Sequence, residues 1–294
     1  MTFIVTTETL LSRVAPPALP VATNQYERAY QDQLNNILRL YFNRLSATLN
    51  QLQTSGANDG SIIKFPHGAF HQDGHTTLTA NIGNGTTTPI PVVSTAGFLN
   101  AGGLIIENEV ILYTGKTATT FTGITRGAKG TSSSAHLSGT AISEAQIVPL
   151  PSAALSIAFT VTDASYDVEL DPLNNTHVVF LKPGYFNIQF SAQLLNFTTS
   201  EDNVVMWFRK DGVDISNTAG VVTVPSKHGS NPGAMITSWN LIVDVLAGQY
   251  IELMVTSDSG NTVIATYPPS VVPGSEHPAS PSVILTASFV SALP

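Results

Sequence analysis

The chain contains no cysteine. That removes disulfide frameworks, thiolate metal sites and cysteine nucleophiles together. Charge is also scarce: Asp, Glu, Lys and Arg make up 11% of 294 residues, against about a quarter in ordinary soluble domains. Thr, Ser, Asn and Gly fill the gap, a composition typical of β-rich assembled or fibrous proteins whose surfaces are covered by neighbours. The net charge is −8 and no basic cluster is present. Nucleic acid is therefore not an expected partner, because phosphate binding depends on cations that release counterions. No run of about 18 apolar residues occurs, so no membrane insertion is expected. The stretch from Met1 to Leu10 has neither a basic start nor a sustained apolar core, and is not expected to be a secretory signal. A β-rich chain of this kind can still act outside a cell if it leaves inside a virus particle.

What is present falls into five segments. Residues 1–22 are extended and proline-bearing, with Phe3, Ile4, Val5, Leu10 and Leu11 as apolar anchors. They read as an arm that orders on docking to another protein, or as a loose terminus. Residues 23–55 hold the one convincing helix, capped by Asn24 and running from Gln25 to about Leu52. Tyr30, Leu34, Ile37, Tyr41 and Leu45 recur in steps of three and four and form one stripe. At ~1.5 Å per residue the helix is ~42 Å long. Copies of itself in a parallel bundle would bury that stripe, and so would a foreign surface.

Gly56 to Gly60 reads as a hinge inside an irregular bridge, 56–88. A small β module is expected over 89–148. Within it Leu104 to Tyr113 contains a hairpin at Glu107-Asn108, and short Gly/Thr-rich strands follow. Residues 145–151 read as its link to the last segment.

Residues 153–294 carry the clearest pattern. Phe186, Ile188, Phe190, Ala192 and Leu194 alternate with Tyr185, Asn187, Gln189, Ser191 and Gln193, which predicts a strand with one buried face. Val204, Met206 and Phe208 alternate likewise up to Asp211-Gly212, a two-residue hairpin signal. Trp239, Leu241, Val243 and Val245 form another such set, and Val283, Leu285, Ala287 and Phe289 form the last.

Candidate chemistry is thin. His67, His71 and His75 with Asp73 have metal-like composition, but Pro66, Gly68 and Gly74 break the helix that their spacing would need, and packed or solvated histidines are expected. Asp167, Glu169 and Asp171, with Asp163 nearby, would share a strand face; they suit either calcium or a solvated edge. Glu201 and Asp202 sit in a polar loop without an identifiable partner for hydrolysis. No nucleophile elbow or phosphate loop occurs. The expectation is no catalytic, cofactor or metal residue.

The turn Lys182-Pro-Gly-Tyr185 feeding its alternating strand resembles the third-strand signature of the tumour-necrosis-factor and complement-globular-head jelly rolls. The resemblance runs from about 153 to 292 in element order. It implies an antiparallel jelly roll that binds as a trimer and catalyses nothing, with Tyr185, Asn187, Gln189 and Trp207 at the protomer interface. The stretch from Gln25 to Leu45 resembles N-terminal segments of structural proteins of tailed bacteriophages, notably short-tailed phages of aquatic bacteria. The order Ile-Ile-Glu-Asn-Glu-Val-Ile, Tyr-Thr-Gly, Phe-Thr-Gly-Ile-Thr-Arg-Gly resembles a small module recurring in phage tail and fibre proteins.

Together these imply a mainly β, homotrimeric virion protein assembled in the host cytoplasm. Its arm would attach to capsid, portal or tail proteins, its helix would trimerise, and its knob would meet a host-surface glycan or protein. The loops around 200–203, 225–232 and 267–281 would be apical in such a knob, where recognition usually lives. A capsid decoration or cement protein is the alternative. A polysaccharide-degrading tail enzyme would instead need converging carboxylates such as Asp202 and Asp167.

Overall fold

A computed structural model describes residues 17–19, 27–54, 65–270 and 276–294. The chain divides into two compact units, Met1–Phe65 and Pro66–Pro294. The first contains helix α1, Arg28–Thr54. None of its side chains from 28 to 47 is buried: Tyr30, Leu34, Ile37, Tyr41 and Leu45 are half-buried along the expected stripe, while Leu40 and Phe42 are 52% and 57% exposed. Most of the stability of helices in proteins comes from packing of an apolar face. The cap Asn24, the hinge and the arm residues Phe3, Ile4, Val5, Leu10 and Leu11 lie outside the described residues.

The second unit is antiparallel β. Its principal strands are β1 (His67–Gln72), β2 (Gly102–Ile106), β3 (Glu109–Tyr113), β4 (Ala141–Ile147), β5 (Val161–Tyr166), β6 (Val168–Asp171) and β7 (Asn174–Phe180). They continue as β8 (Gly184–Asn196), β9 (Asp202–Lys210), β10 (Gly220–Val224), β11 (Gly233–Val245), β12 (Tyr250–Ser257), β13 (Thr262–Ala265) and β14 (Val283–Ser291). Those from 153 onward, together with β1, build a jelly-roll sandwich. One sheet runs β5–β1–β14–β8–β11, and β11 pairs with β8 from Gly184↔Val245 to Asn196↔Gly233. The other runs β6–β7–β12–β9–β10.

The alternating residues do what their period demands. Phe186, Ile188, Phe190, Ala192 and Leu194 are buried against Val204, Met206, Phe208, Leu253 and Val255 of the opposite sheet. Phe190 meets Phe208 and Trp239 edge-on at 5.7 and 4.4 Å. Both hairpin expectations hold. Ile106 pairs Glu109 around Glu107-Asn108, and Lys210 pairs Val213 around Asp211-Gly212, whose φ values are +48° and +77°. Both central residues of that turn sit in the left-handed region that two-residue hairpins require.

Two boundaries are corrected. The bridge expected over 56–88 contains β1, which lies inside the jelly-roll sheet between β5 and β14. Residues 145–151 are not simply a linker, because β4 runs to Ile147 and pairs with both β2 and β13. The small module thus extends the jelly-roll sheet: beyond β13 come β4, β2, β3 and Thr125–Ala128. The module buries its own core of Leu78, Ile90, Leu104, Ile111, Tyr113 and Phe121. A third cluster, Val110, Ala145, Leu195, Phe197, Val263 and Ala265, seals the seam between module and knob.

Candidate interaction surface

The outer face of β8, β11 and β14 is the most distinctive surface of the second unit. Across these three strands Asp244 is the one charged residue. Strand alternation puts Tyr185, Asn187, Gln189 and Ser191 outward from β8, and the register sets Ile242 beside Asn187, Asn240 beside Gln189 and Ile284 beside Ser191. Ile236 and Ile242 are 66% and 64% exposed. Asn240 donates to Asn187 at 2.9 Å, and Asp244 is held by Lys210 Nζ at 3.1 Å at the end of the strand. The face combines uncharged amides, hydroxyls and bare isoleucines. Beyond it the outer edge of the 13-residue β11 has no ladder partner among the described residues, and a long uncovered edge is a template for further pairing.

Tyr185, Asn187 and Gln189 therefore share one face, as expected. Trp207 does not join them. It points outward from β9, in the opposite sheet, where its Nε1 donates to Asp214 at 2.8 Å. Alternation along β9 fixes which side of its own sheet Trp207 takes, but not which sheet β9 enters.

That second face is internally paired. Arg209 Nε donates to Asp214 at 2.8 Å, and those two donors hold the Asp214 carboxyl below its ordinary range, Trp207 leading. His177 stacks on Tyr250 at 3.7 Å and lies 3.6 Å from Glu252. Ser156 Oγ donates to Glu252 at 2.6 Å.

The structure separates the residues expected to share chemistry. His67 stacks on Tyr166, His71 contacts Asp163 at 2.8 Å, and His75 contacts Asp73 at 3.1 Å. Among the described residues no group of three His, Asp or Glu could hold a metal. Asp167 has φ +56° and forms the corner between β5 and β6, so it does not share a strand face with Glu169 and Asp171. Asp202 is buried and accepts from the Ser259 and Thr262 N–H groups and the Thr262 hydroxyl at 3.0, 3.1 and 2.7 Å. Burial raises its pKa, but the donors led by Thr262 outweigh this and lower it. It anchors the loop before β13.

Two buried glutamates carry no advance signal in the sequence. Glu109, at the start of β3, is gripped through both oxygens by Arg126 at 2.7 and 2.8 Å. It also accepts from Gly127 N and Ser134 N at 2.9 and 3.0 Å. His136 lies between Glu109 and Glu107, 2.8 Å from each. Burial opposes ionisation there, yet the donors led by Arg126 hold Glu109 down at about 2. Glu144, on β4 at the seam, is fully buried and has weaker help. Leu99 N donates at 2.7 Å, Tyr113 Oη lies 3.5 Å away and the Gln72 amide abuts it. Burial pushes its carboxyl up to about 8 against those donors and Lys116.

Of the loops expected to be apical, those holding Pro232 and Tyr267 meet the module, as does the loop at Gly260. Lys129 Nζ donates to Gly260 O at 2.5 Å. Leu195, Phe197, Pro232 and Tyr267 face Ile105 and Ser143 across a cavity of about 450 Å³. This end of the knob is partly capped. In comparisons with known proteins, no protein-family model and no curated protein matches the chain.

Proposed function

We propose that this protein is a structural component of a tailed-phage virion, a homotrimeric fibre or knob on head or tail that adheres to the host surface. The observation that carries the assembly is the outer face of β8, β11 and β14. Exposed Ile236, Ile242 and Ile284 lie among uncharged amides beside an uncovered edge strand, a surface with the features of an interface core rather than of a solvated face. The order β1–β14–β8–β11 against β7–β12–β9–β10 supports the resemblance to the trimeric tumour-necrosis-factor-like jelly rolls. Tyr185, Asn187 and Gln189 keep their interface assignment in this reading, and Trp207 leaves it.

The half-buried stripe of α1 gives a second trimerising element, and the N-terminal arm attaches the trimer to other virion proteins. Three copies of a weak host-binding site then add through multivalency. The virion part of the reading rests on the resemblance of 25–45 and of the module to phage structural proteins. Immunogold labelling of particles of the encoding phage with antibody against the knob tests it. Regular label at head or tail is expected, and unlabelled particles would overturn it.

One observation favours the decoration or cement alternative. Leu40 and Phe42 are more than half exposed away from the stripe, and a symmetric bundle covers only one stripe. Those two side chains lie on opposite flanks of the helix, so either one is open to a foreign capsid surface, and label spread evenly over the head would select that reading.

A further inference from the structure

A crevice of about 500 Å³ opens where the module meets the knob, between the loop after Phe98, the segment 155–160 and the strand at 174–180. Three properties distinguish it from an incidental groove. Its lining contains no charged side chain: the polar groups are the amides of Asn100, Gln146 and Asn175 and the hydroxyls of Ser156, Thr160 and Thr176. Its floor is rigid, because Gln146 donates to Ala158 O and accepts from Ala158 N, both at 2.9 Å. Its rim is unspent: the side chains of Asn100 and Asn175 are exposed and make no hydrogen bond among the described residues. Beside them Leu155 is 45% exposed and offers an apolar plate.

We infer that this crevice binds a neutral saccharide. No charged side chain lines the crevice, so a charged ligand would lose hydration here without a counter-charge in direct contact, which is strongly unfavourable. A purely apolar ligand would leave the amides and hydroxyls of the wall unpaired. A neutral sugar satisfies both demands. Its hydroxyls alternate donor and acceptor against Asn100, Asn175 and Ser156, and its C–H face lies on Leu155. Ser156 lines the crevice and already donates its proton to Glu252, so what its oxygen can offer a ligand is a lone pair. The volume falls within the usual range for small-ligand sites, about 300–1,000 Å³. The inference deepens the adhesion reading and rests on it for biological role, while placing recognition at the seam rather than in the free loops of the knob.

The test is saturation-transfer NMR of the full chain with maltose, cellobiose, lactose and N,N′-diacetylchitobiose, and with galacturonic acid and glucosamine as charged controls. At least one neutral disaccharide is expected to bind and both charged sugars to fail. Asn100→Ala with Asn175→Ala should weaken binding about tenfold, the effect of roughly 1.4 kcal/mol. Ala101→Trp, at an exposed position beside the crevice, should abolish it with the solution mass unchanged. Absence of any neutral-sugar signal, equal binding of the charged sugars, or binding that survives Ala101→Trp would each overturn the inference. Particle labelling does not depend on sugar, so failure here is distinguishable from failure of the virion reading.

Discussion

The two sheets of the knob treat their outward polar groups in opposite ways. On the β9 side Trp207 and Arg209 converge on Asp214, and His177, Tyr250, Ser156 and Glu252 engage one another. These groups are paired within one chain. On the β8 side the outward residues are almost uncharged, three isoleucines are bare, and the edge strand is uncovered. A single sandwich therefore presents one face suited to water and one suited to a neighbour. The same contrast recurs inside the module. Glu109 has a cation and two backbone donors, whereas Glu144 relies on holding a proton. In each pair one member is satisfied by the chain and the other needs something added.

The largest effect should come from breaking a satisfied member. Arg126→Ala strands a buried carboxylate, and losing one partner of a buried pair costs about 3–5 kcal/mol; denaturant unfolding should show it. Arg126→Lys should recover only part, since an ammonium cannot grip both oxygens.

Glu144 sharpens the contrast through pH. Its folded pKa of about 8 lies above the ordinary 4.5, so the folded state takes up a proton. Its contribution is fully present below about 4.5, erodes as pH rises toward 8 and is then lost, at up to about 1.4 kcal/mol per pH unit. Glu109, at about 2, acts in the other direction. Its contribution is present above 4.5 and is lost as pH falls through 2, a separate window. Melting temperature against pH should therefore decline between about pH 5 and 8, and Glu144→Gln should flatten that decline. A decline that persists in Glu144→Gln would assign it to other groups.

On the two faces the predicted effects lie in assembly rather than folding. Ile236→Asp with Ile242→Asp should dissociate the proposed trimer while circular dichroism stays that of the parent. Trp207→Ala should leave the mass unchanged and cost about 0.5–1.5 kcal/mol for its bond to Asp214. If Trp207→Ala dissociated the protein, the assignment of the two faces would be reversed.

Much of the fold is legible in the amino-acid sequence alone, for a local reason. Period-two burial at Phe186 to Leu194 and the turn residues Glu107-Asn108 and Asp211-Gly212 act over a few residues, and the chain obeys them. What is not legible is pairing at long range. β1 is short, contains Gly68, and acquires its identity from contacts such as Ala69↔Ala164. Trp207 shows the same limit, since alternation assigns a side and not a sheet. Asp202 reads as a loop acid and is a buried loop anchor. Glu144 lies in β4, where the run Ile142–Gln146 is buried throughout, so no alternation marks it. The outward residues Tyr185, Asn187 and Gln189 follow directly from the pattern, whereas Ile236, Ile242 and Ile284 beside them emerge only from the register.

The central claim is that the β8–β11–β14 face is where copies of the knob meet. The most direct measurement is light scattering of the full chain and of a chain beginning at Pro66, which keeps β1 in its sheet and removes α1. The account predicts three times the 31.1 kDa chain mass for the full chain and a trimer for the shortened one. A shortened chain that stays monomeric at high concentration would contradict it, leaving that face to some other partner and assembly to the helix alone.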